Sequence, residues 1–233
     1  MNLYLLVEGK QTEPKIYPEW IKCLIPGIKQ IQDPFLLNRD TTLDNTFYIF
    51  SGLGYPSLLN NHLRNTIADV NRISRIDYLV ICLDSDDRTV NQTKRIVNNF
   101  IAENNLFLSQ AKLVIIVQDC CIETWLLGNR RIFHRTSSEK DLLGCISHYD
   151  VHENDPESMR TVPSGYRSSC SEYHFFYLKQ IFKSRNMSYS KKNPGQACAD
   201  FYLKELMKRN EETGHLSSFG VFWQFCQSIY ADL

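Results

Sequence analysis

The chain has 233 residues, and its 26 lysines and arginines balance 26 aspartates and glutamates, so the formal net charge is zero. This length favours one compact domain with at most a smaller appendage and excludes a multi-domain machine. The ordinary composition, 43% hydrophobic with 10 glycines and 8 prolines, excludes disordered and fibrous classes. Without a net charge to steer it, a phosphate-rich partner must be held by a local patch or by metal ions.

The sequence predicts neither a membrane span nor a secretion signal. The longest apolar run, residues 78–83, is far shorter than the roughly 20 residues that a membrane helix needs, and Glu8 soon interrupts the apolar N-terminus. Eight cysteines are dispersed through apolar segments without a C-x-x-C pair. We therefore expect reduced thiols in a cytoplasmic protein.

The predicted elements alternate between strands and helices. Strands are predicted at residues 2–7, 46–50, 76–83 and 112–117, and helices at residues 14–25, 56–73, 89–104 and 121–127. Pro18 is expected to kink or shorten the first helix. The last two strands are nearly continuous in apolar residues, as is typical of parallel strands covered on both faces. The alternation predicts an α/β fold with a Rossmann-like parallel sheet flanked by helices.

The character of the chain changes after residue 129. Residues 135–171 are polar and rich in turn formers, which predicts an irregular insertion or lid. Helical periodicity returns at residues 171–183, 196–211 and 217–231. We therefore divide the chain into an α/β catalytic core, residues 1–129, and a loop and helical C-terminal region, residues 130–233, packed on that core.

Acidic side chains follow three of the four predicted strands. Glu8-Gly9 follows the first, Asp84-Ser85-Asp86-Asp87 the third, and Asp119 with Glu123 the fourth. Ligands bind at the carboxyl ends of parallel strands, and carboxylates gathered there repel one another unless a cation lies between them. Mg²⁺ or Mn²⁺ suits oxygen ligands of this kind. Taken singly, the D-S-D-D run also fits a solvated loop or a helix cap, and Glu8 an ordinary turn acid. Gly9 would let the chain turn sharply and let a phosphate approach the backbone.

Together these motifs resemble a known family. L-V-E-G-x-x-T-E after the first strand and D-S-D-D after the third resemble the TOPRIM domain, the metal-dependent module of topoisomerases, primases, OLD nucleases and some ribonucleases. C-I-E-T-W-L-L, at residues 121–127, is similar to small RloB-like proteins of bacterial defence loci. The resemblance covers about residues 2–128, with a weaker similarity at residues 189–195.

The resemblance implies a set of site residues. Glu8 matches the catalytic glutamate, which also completes the metal shell, and Asp84 and Asp86 match the metal ligands. Glu13 and Glu123 match further acids that a second ion would need. Glu13 also fits a favourable acid in the first turn of a helix, and Glu123 a hydrogen-bond network beneath the site.

The weaker similarity at residues 189–195 implies a catalytic lysine that faces the scissile phosphate. Lys191 and Lys192 are the two candidates, and as a pair on a polar loop they also fit a solvated surface. Phosphodiester hydrolysis with Mg²⁺ or Mn²⁺ is the implied reaction.

Nucleic-acid binding has independent support from local charge. Residues 160–209 contain ten lysines and arginines against three acids, an excess that can cover phosphates. The expected nucleic-acid contacts are Lys183, Arg185 and Lys204, with a second basic cluster at Arg130, Arg131, His134 and Arg135. The aromatic side chains at positions 173, 175, 176, 177 and 182 have helical spacing, which favours a core role over base stacking.

Two cysteine patterns are expected to have no function. Cys145, His148, His152 and Cys170 have the residue types of a zinc site, but their spacing is poor and favours unrelated loop residues. The vicinal Cys120 and Cys121 lie between a strand and an apolar helix, so we expect them to be packed.

The leading hypothesis is a metal-dependent endonuclease, acting on DNA or RNA, that serves as the effector of a bacterial anti-phage defence system. No GxxxxGK[ST] motif occurs, so an ABC-type ATPase partner would be encoded separately. The alternative is a non-hydrolytic module that binds nucleic acid or a protein partner and holds a structural Mg²⁺. For a primase or topoisomerase the chain is short. The mode of cleavage and the oligomeric state stay open.

Overall fold

A five-stranded sheet forms the centre of the computed structural model, which describes residues 1–133 and 138–233. The strands are β1 (Asn2–Val7), β2 (Lys29–Gln30), β3 (Thr46–Ser51), β4 (Tyr78–Asp84) and β5 (Lys112–Gln118). They are all parallel, in the order β2-β3-β1-β4-β5. The predicted α/β class is therefore confirmed, and β1 and β4 are central neighbours whose carboxyl ends meet at one edge.

Helices cover both faces of the sheet and form the C-terminal region. They are α1 (Glu13–Leu24), α2 (Leu36–Arg39), α3 (Tyr55–Ser57), α4 (Arg64–Arg72), α5 (Val90–Glu103), α6 (Ile122–Leu126), α7 (Lys140–His148), α8 (Cys170–Ser184), α9 (Asp200–Thr213) and α10 (Ser217–Ala231). A π-helical segment, Leu58–Leu63, joins α3 to α4, and short 3₁₀ turns occur at Pro156–Ser158 and Gly195–Cys198. In the described parts of the chain, no helix combines the length and the apolar character needed to cross a membrane.

Alternation along β1 separates two hydrophobic cores. Leu3, Leu5 and Val7 face one core, which includes side chains of α1, α6, α8, α9 and α10. Tyr4 and Leu6 face the other, which the helical segments of residues 55–72 and α5 cover. Since strands buried on both faces carry apolar residues at nearly every position, the continuous apolar runs of the sequence are explained.

The C-terminal helices pack directly on the first face of the sheet. The Trp125 ring of α6 lies 5.6 Å from Phe219 and 6.0 Å from Phe222, between ring centroids. The Tyr202 hydroxyl donates to the Leu126 carbonyl at 2.7 Å. These contacts fix α6, and therefore its acidic residue Glu123, relative to the sheet.

The structure differs from the predicted elements in three places. Helix α7 lies inside the segment expected to be irregular; its Leu142 and Cys145, three residues apart, are both buried. Strand β2 and helix α2 are too short to give a periodic signal. Pro18 lies within α1, which continues to Leu24, so this proline does not shorten the helix, whose Tyr17, Trp20 and Ile21 are buried.

Candidate active site

A cavity of about 290 Å³ lies at the carboxyl edge of the sheet. Its charged lining consists of four carboxylates and two lysines: Glu8, Glu13, Asp84, Glu123, Lys10 and Lys191. The four acids come from the end of β1, the start of α1, the end of β4 and the first turn of α6. Four separate segments of the chain therefore bring negative charge to one place.

Glu8 and Asp84 are placed by the pairing of β1 with β4. Val7 lies opposite Cys82, and the Glu8 amide continues the ladder by donating to the Cys82 carbonyl at 3.0 Å. The Asp84 amide in turn donates to Glu8 Oε2 at 3.1 Å. This bond orients the Glu8 carboxylate at the edge of the cavity.

Gly9 allows the Glu13 carboxylate to enter the cavity. A Cβ atom at Gly9 would lie 1.8 Å from Glu13 Oε2, a distance that no side chain can adopt. Gly9 does not have a positive φ, so the expected sharp turn is not the reason for this glycine. Burial raises the pKa of Glu13, although Lys191 and backbone amides oppose this shift. An acid that merely capped α1 would show the opposite shift.

Glu123 is buried on α6 beside the cavity. It accepts a hydrogen bond from the Tyr189 hydroxyl at 3.0 Å. Burial raises the pKa of Glu123 to about 8, against the opposing effects of Lys191 and Tyr189. Glu123 thus lines the cavity and also takes part in a hydrogen bond beneath it, so both of its expected roles agree with its position.

The segment around Lys191 folds back over the acidic edge. Thr12 Oγ1 donates to the Lys191 carbonyl at 3.4 Å, and Lys15 donates to the Lys192 carbonyl. Of these two lysines, Lys191 lines the cavity and Lys192 does not, and both remain partly exposed to solvent. Burial acts to lower the pKa of Lys191, but Glu123, Asp84 and Glu13 outweigh it and raise the pKa. Lys191 therefore stays positively charged.

The carboxylates disfavour one another's charged forms. Burial, followed by the charge of Glu13, raises the pKa of Asp84 well above its usual range. Burial also raises the pKa of Glu8 to about 7, despite the hydrogen bond from the Asp84 amide. Four oxygen donor groups that repel one another fit a hard divalent cation such as Mg²⁺ or Mn²⁺, which prefers carboxylate oxygens.

Asp86 does not line this cavity. It lies in a neighbouring pocket with Arg88, Arg160 and Cys170, and its amide donates to the Cys120 carbonyl at 2.9 Å. The backbone at Asp86 has a φ of 50°, which turns the chain away after Asp84. Asp86 still raises the pKa of Glu8, so it contributes charge to the cavity from outside. Asp119 is paired with Arg160.

The expected nucleic-acid contacts all have intramolecular partners. Three form ion pairs: Arg130 with Glu212 at 2.6 Å, Lys183 with Glu139 at 3.0 Å, and Lys204 with Asp200 at 2.6 Å. Arg131 lies 5.9 Å from the Phe201 ring centroid, and Arg185 donates to the Ile132 and Phe133 carbonyls at 2.9 and 3.0 Å. Exposed ion pairs are weak, so Lys183 and Lys204 can exchange their partners for phosphates.

Other parts of the basic segment differ from the expected surface. Arg209 is fully buried and donates to the Gly128 carbonyl at 3.1 Å, so it does not contribute to a binding face. His134 and Arg135 lie outside the described residues. Three of the aromatic residues of α8, Tyr173, Tyr177 and Phe182, are buried as expected of core side chains.

Three features of the site were not expected from the sequence. The buried Gln118 amide lies 2.9 Å from the Tyr17 hydroxyl, and in the amide orientation in which its oxygen accepts from that hydroxyl, its nitrogen lies 3.3 Å from Asp84 Oδ1. Arg88 Nε and Nη2 are buried without a hydrogen-bond partner among the described residues, and this guanidinium lowers the pKa of Glu8. The third feature is the Tyr189 bond to Glu123. Tyr189 is the first residue of segment 189–195, which is weakly similar to the family, so the sequence did point to this segment.

The residues of the sequence motifs and the side chains of the cavity largely coincide. Glu8, Asp84 and Glu13 carry the motif, and the structure brings all three together with Glu123 and Lys191. Comparison of the chain with protein-family models, with curated proteins and with solved structures found no match.

Proposed function

We propose that the chain is a metal-dependent nuclease of TOPRIM type, which hydrolyses phosphodiester bonds in nucleic acid with Mg²⁺ or Mn²⁺. One observation carries the proposal. Four carboxylates from four separate segments share a cavity with Lys191, although burial and mutual repulsion raise their pKa values. Ionised carboxylates so arranged destabilise the fold unless a cation compensates them, and a cation with a lysine beside it suits a phosphate ester.

All four acids would hold the metal, and Glu8 would also take up a proton. Asp84, Glu13 and Glu123 would hold the cation together with Glu8. When bound, a divalent ion polarises a phosphoryl oxygen and makes a water molecule more nucleophilic. Glu8 Oε1 would accept the proton of the attacking water, since the Asp84 amide donates to Oε2. Gln118 positions the Asp84 carboxylate from behind.

The cations of the site bind the phosphate. Lys191 stays protonated and lines the same cavity as the acids, so its ammonium can donate to a non-bridging oxygen. Arg88, whose guanidinium lies 4.3 Å from the Tyr55 ring centroid, would supply a further positive charge from the neighbouring pocket. Lys183 and Lys204 would hold the flanking backbone. The motif resemblance extends the proposal to a cytoplasmic effector of bacterial defence with a separately encoded ABC-type ATPase.

A cleavage assay tests this function. Labelled plasmid, single-stranded DNA and tRNA are incubated with the protein in Mg²⁺ or Mn²⁺, with and without chelator. We expect metal-dependent cleavage by the wild type and by Asp87→Asn, which removes the same charge from an exposed position in the same loop. Asp84→Asn should abolish cleavage.

Two results would contradict the proposal. Cleavage that survives in Asp84→Asn or in chelator would show that the acidic cavity does not catalyse it. Metal-dependent binding of these substrates without cleavage under any condition would favour the alternative, a non-hydrolytic nucleic-acid-binding module with a structural ion.

A further inference from the structure

A second group of metal-ligating side chains lies apart from the acidic cavity. Cys120 Sγ, Cys170 Sγ and a ring nitrogen of His174 all lie within 4.8 Å of one another. Cys170 Sγ is 3.3 Å from His174 Nε2. Cys120 and His174 are buried, and Cys170 is half-buried.

Two elements bring these residues together. Cys170 and His174 lie four residues apart at the start of α8, a spacing that places both on one face of a helix. Cys120 follows β5 with a φ of 65°. Its amide donates to Ser85 Oγ at 2.8 Å and its carbonyl accepts from the Asp86 amide. The loop that carries Cys120 is thereby fixed on both sides.

The imidazole of His174 is oriented as in metal sites. His174 Nδ1 lies 2.7 Å from Thr124 Oγ1, which can accept a proton from Nδ1 when a metal occupies Nε2, and Nε2 lies 3.3 Å from the Cys170 sulfur. Ligating histidines commonly have their second nitrogen fixed in this way. The Met159 carbonyl lies 3.0 Å from Nε2 and accepts from the Cys170 thiol at 3.2 Å. Without a metal, the Met159 carbonyl can therefore accept hydrogen bonds from the protonated Cys170 thiol and from a protonated His174 Nε2.

The donor set selects the metal. Two thiolates and one imidazole are ligands for zinc, unlike the all-oxygen set of the acidic cavity. Two thiolates and one Zn²⁺ sum to zero charge, which suits a buried position. Cys170 also lines a pocket of about 430 Å³ with Asp86 and Arg160, which gives an ion access from solvent.

We propose that Cys120, Cys170 and His174 bind one zinc ion. On binding, two cysteine thiols release their protons to solvent, and His174 coordinates through Nε2 while its remaining proton stays on Nδ1. The ion ties the loop after β5 to α8 and so stabilises the position of α6. This inference does not depend on the proposed nuclease activity.

Metal analysis and cobalt substitution test the zinc site in the full-length chain. We expect purified wild-type protein, supplied with Zn²⁺, to retain one zinc per chain after dialysis, measured by plasma mass spectrometry. Cys198→Ser, a half-buried cysteine elsewhere, should retain the same zinc, and Cys170→Ser should lose most of it. Thr124→Val should bind zinc about 10- to 100-fold more weakly, since it frees the imidazole.

Cobalt in the wild type keeps the test valid even if a variant fails to fold. Co²⁺ should give a thiolate-to-metal charge-transfer absorption, and excess Zn²⁺ should remove it. Absence of this absorption, a Cys120–Cys170 disulfide in the protein purified under reducing conditions, or full zinc retention by Cys170→Ser would each overturn the proposal.

Discussion

Gly9 shows how one missing methyl group shapes the acidic cavity. Because the Glu13 carboxylate occupies the space of a Cβ, Gly9→Ala should expel it and reduce metal-dependent cleavage strongly. Gly144→Ala is the matched control, since a Cβ there meets nothing within 4 Å. In helix α7 that change should leave cleavage intact and raise the free energy of unfolding by up to about 1 kcal/mol. Equal cleavage by both variants would show that Glu13 is dispensable.

Lys191 and Lys192 form a natural pair for testing the cation. Lys191→Ala removes an ammonium from the cavity and should lower kcat with little change in substrate affinity, as expected of a group acting in the transition state. Lys192→Ala should have little effect, because its side chain does not line the cavity and its contact with Lys15 is made by the backbone carbonyl. Steady-state kinetics distinguish the two. A larger loss in Lys192→Ala would reverse the assignment.

Single residues also mark the limit of the sequence analysis. Glu8 and Asp84 were predictable, because each follows an apolar strand and parallel strands align their ends. The different position of Asp86 was not, since it depends on a left-handed backbone turn. The Cys120, Cys170 and His174 cluster was missed because Cys120 lies 50 residues before Cys170 in the sequence, and the cysteine and histidines at residues 145–152 suggested another grouping with Cys170.

At the level of elements, Arg185 joins the end of α8 to the segment after α6. Its two hydrogen bonds to the Ile132 and Phe133 carbonyls are structural. Arg185→Ala should therefore lower the free energy of unfolding by about 1 kcal/mol or more. Lys204→Ala, which breaks an exposed pair with Asp200, should change it by less than about 0.5 kcal/mol.

Chemical denaturation measures the free energy of unfolding of both variants. A salt titration of nucleic-acid binding tests whether Arg185 and Lys204 also contact phosphates. If both side chains also contact phosphates, each variant should bind more weakly at low salt and show a smaller salt slope. Unchanged binding in both variants would remove this surface from the substrate path.

The elements that could be predicted are those whose apolar residues follow a clear strand or helix pattern. β1 and α10 match their predicted bounds, and β3, β4 and β5 differ from theirs by at most two residues. Helix α7 was not recognised because turn-forming residues surround it, and the contacts that stabilise it, such as Leu142 in the core, are tertiary. Short β2 pairs with β3, a tertiary contact that its two residues do not signal in the sequence.

For the whole molecule, the raised pKa values imply a stability that depends on pH. Burial raises the pKa of Glu8 to about 7 and of Glu123 to about 8, from 4.5. Between pH 4.5 and the raised pKa values, these two carboxyls are protonated in the folded state and ionised in the unfolded state. The free energy of unfolding should therefore fall as pH rises from about 5 to about 8. Urea denaturation without Mg²⁺ or Mn²⁺ measures this trend, and Glu123→Gln should reduce it. Stability that increases with pH over this range would contradict the raised values.

The overall architecture was more predictable than the arrangement of its parts. Alternating strands and helices predicted the parallel sheet, and β-strand ends predicted where acids would meet. The sequence could not show that the C-terminal segment returns to the acidic edge, because the Thr12 contact with Lys191 joins residues 179 positions apart.

Manganese binding, followed by electron paramagnetic resonance, tests the central claim that the four carboxylates form a metal site. The wild type and Asp87→Asn should bind Mn²⁺ with the same affinity and stoichiometry, and added Mg²⁺ should compete. Asp84→Asn and Glu13→Gln should each bind it far more weakly, because each removes a carboxylate from the cavity. Mn²⁺ binding that is unchanged in both of these variants would contradict the account.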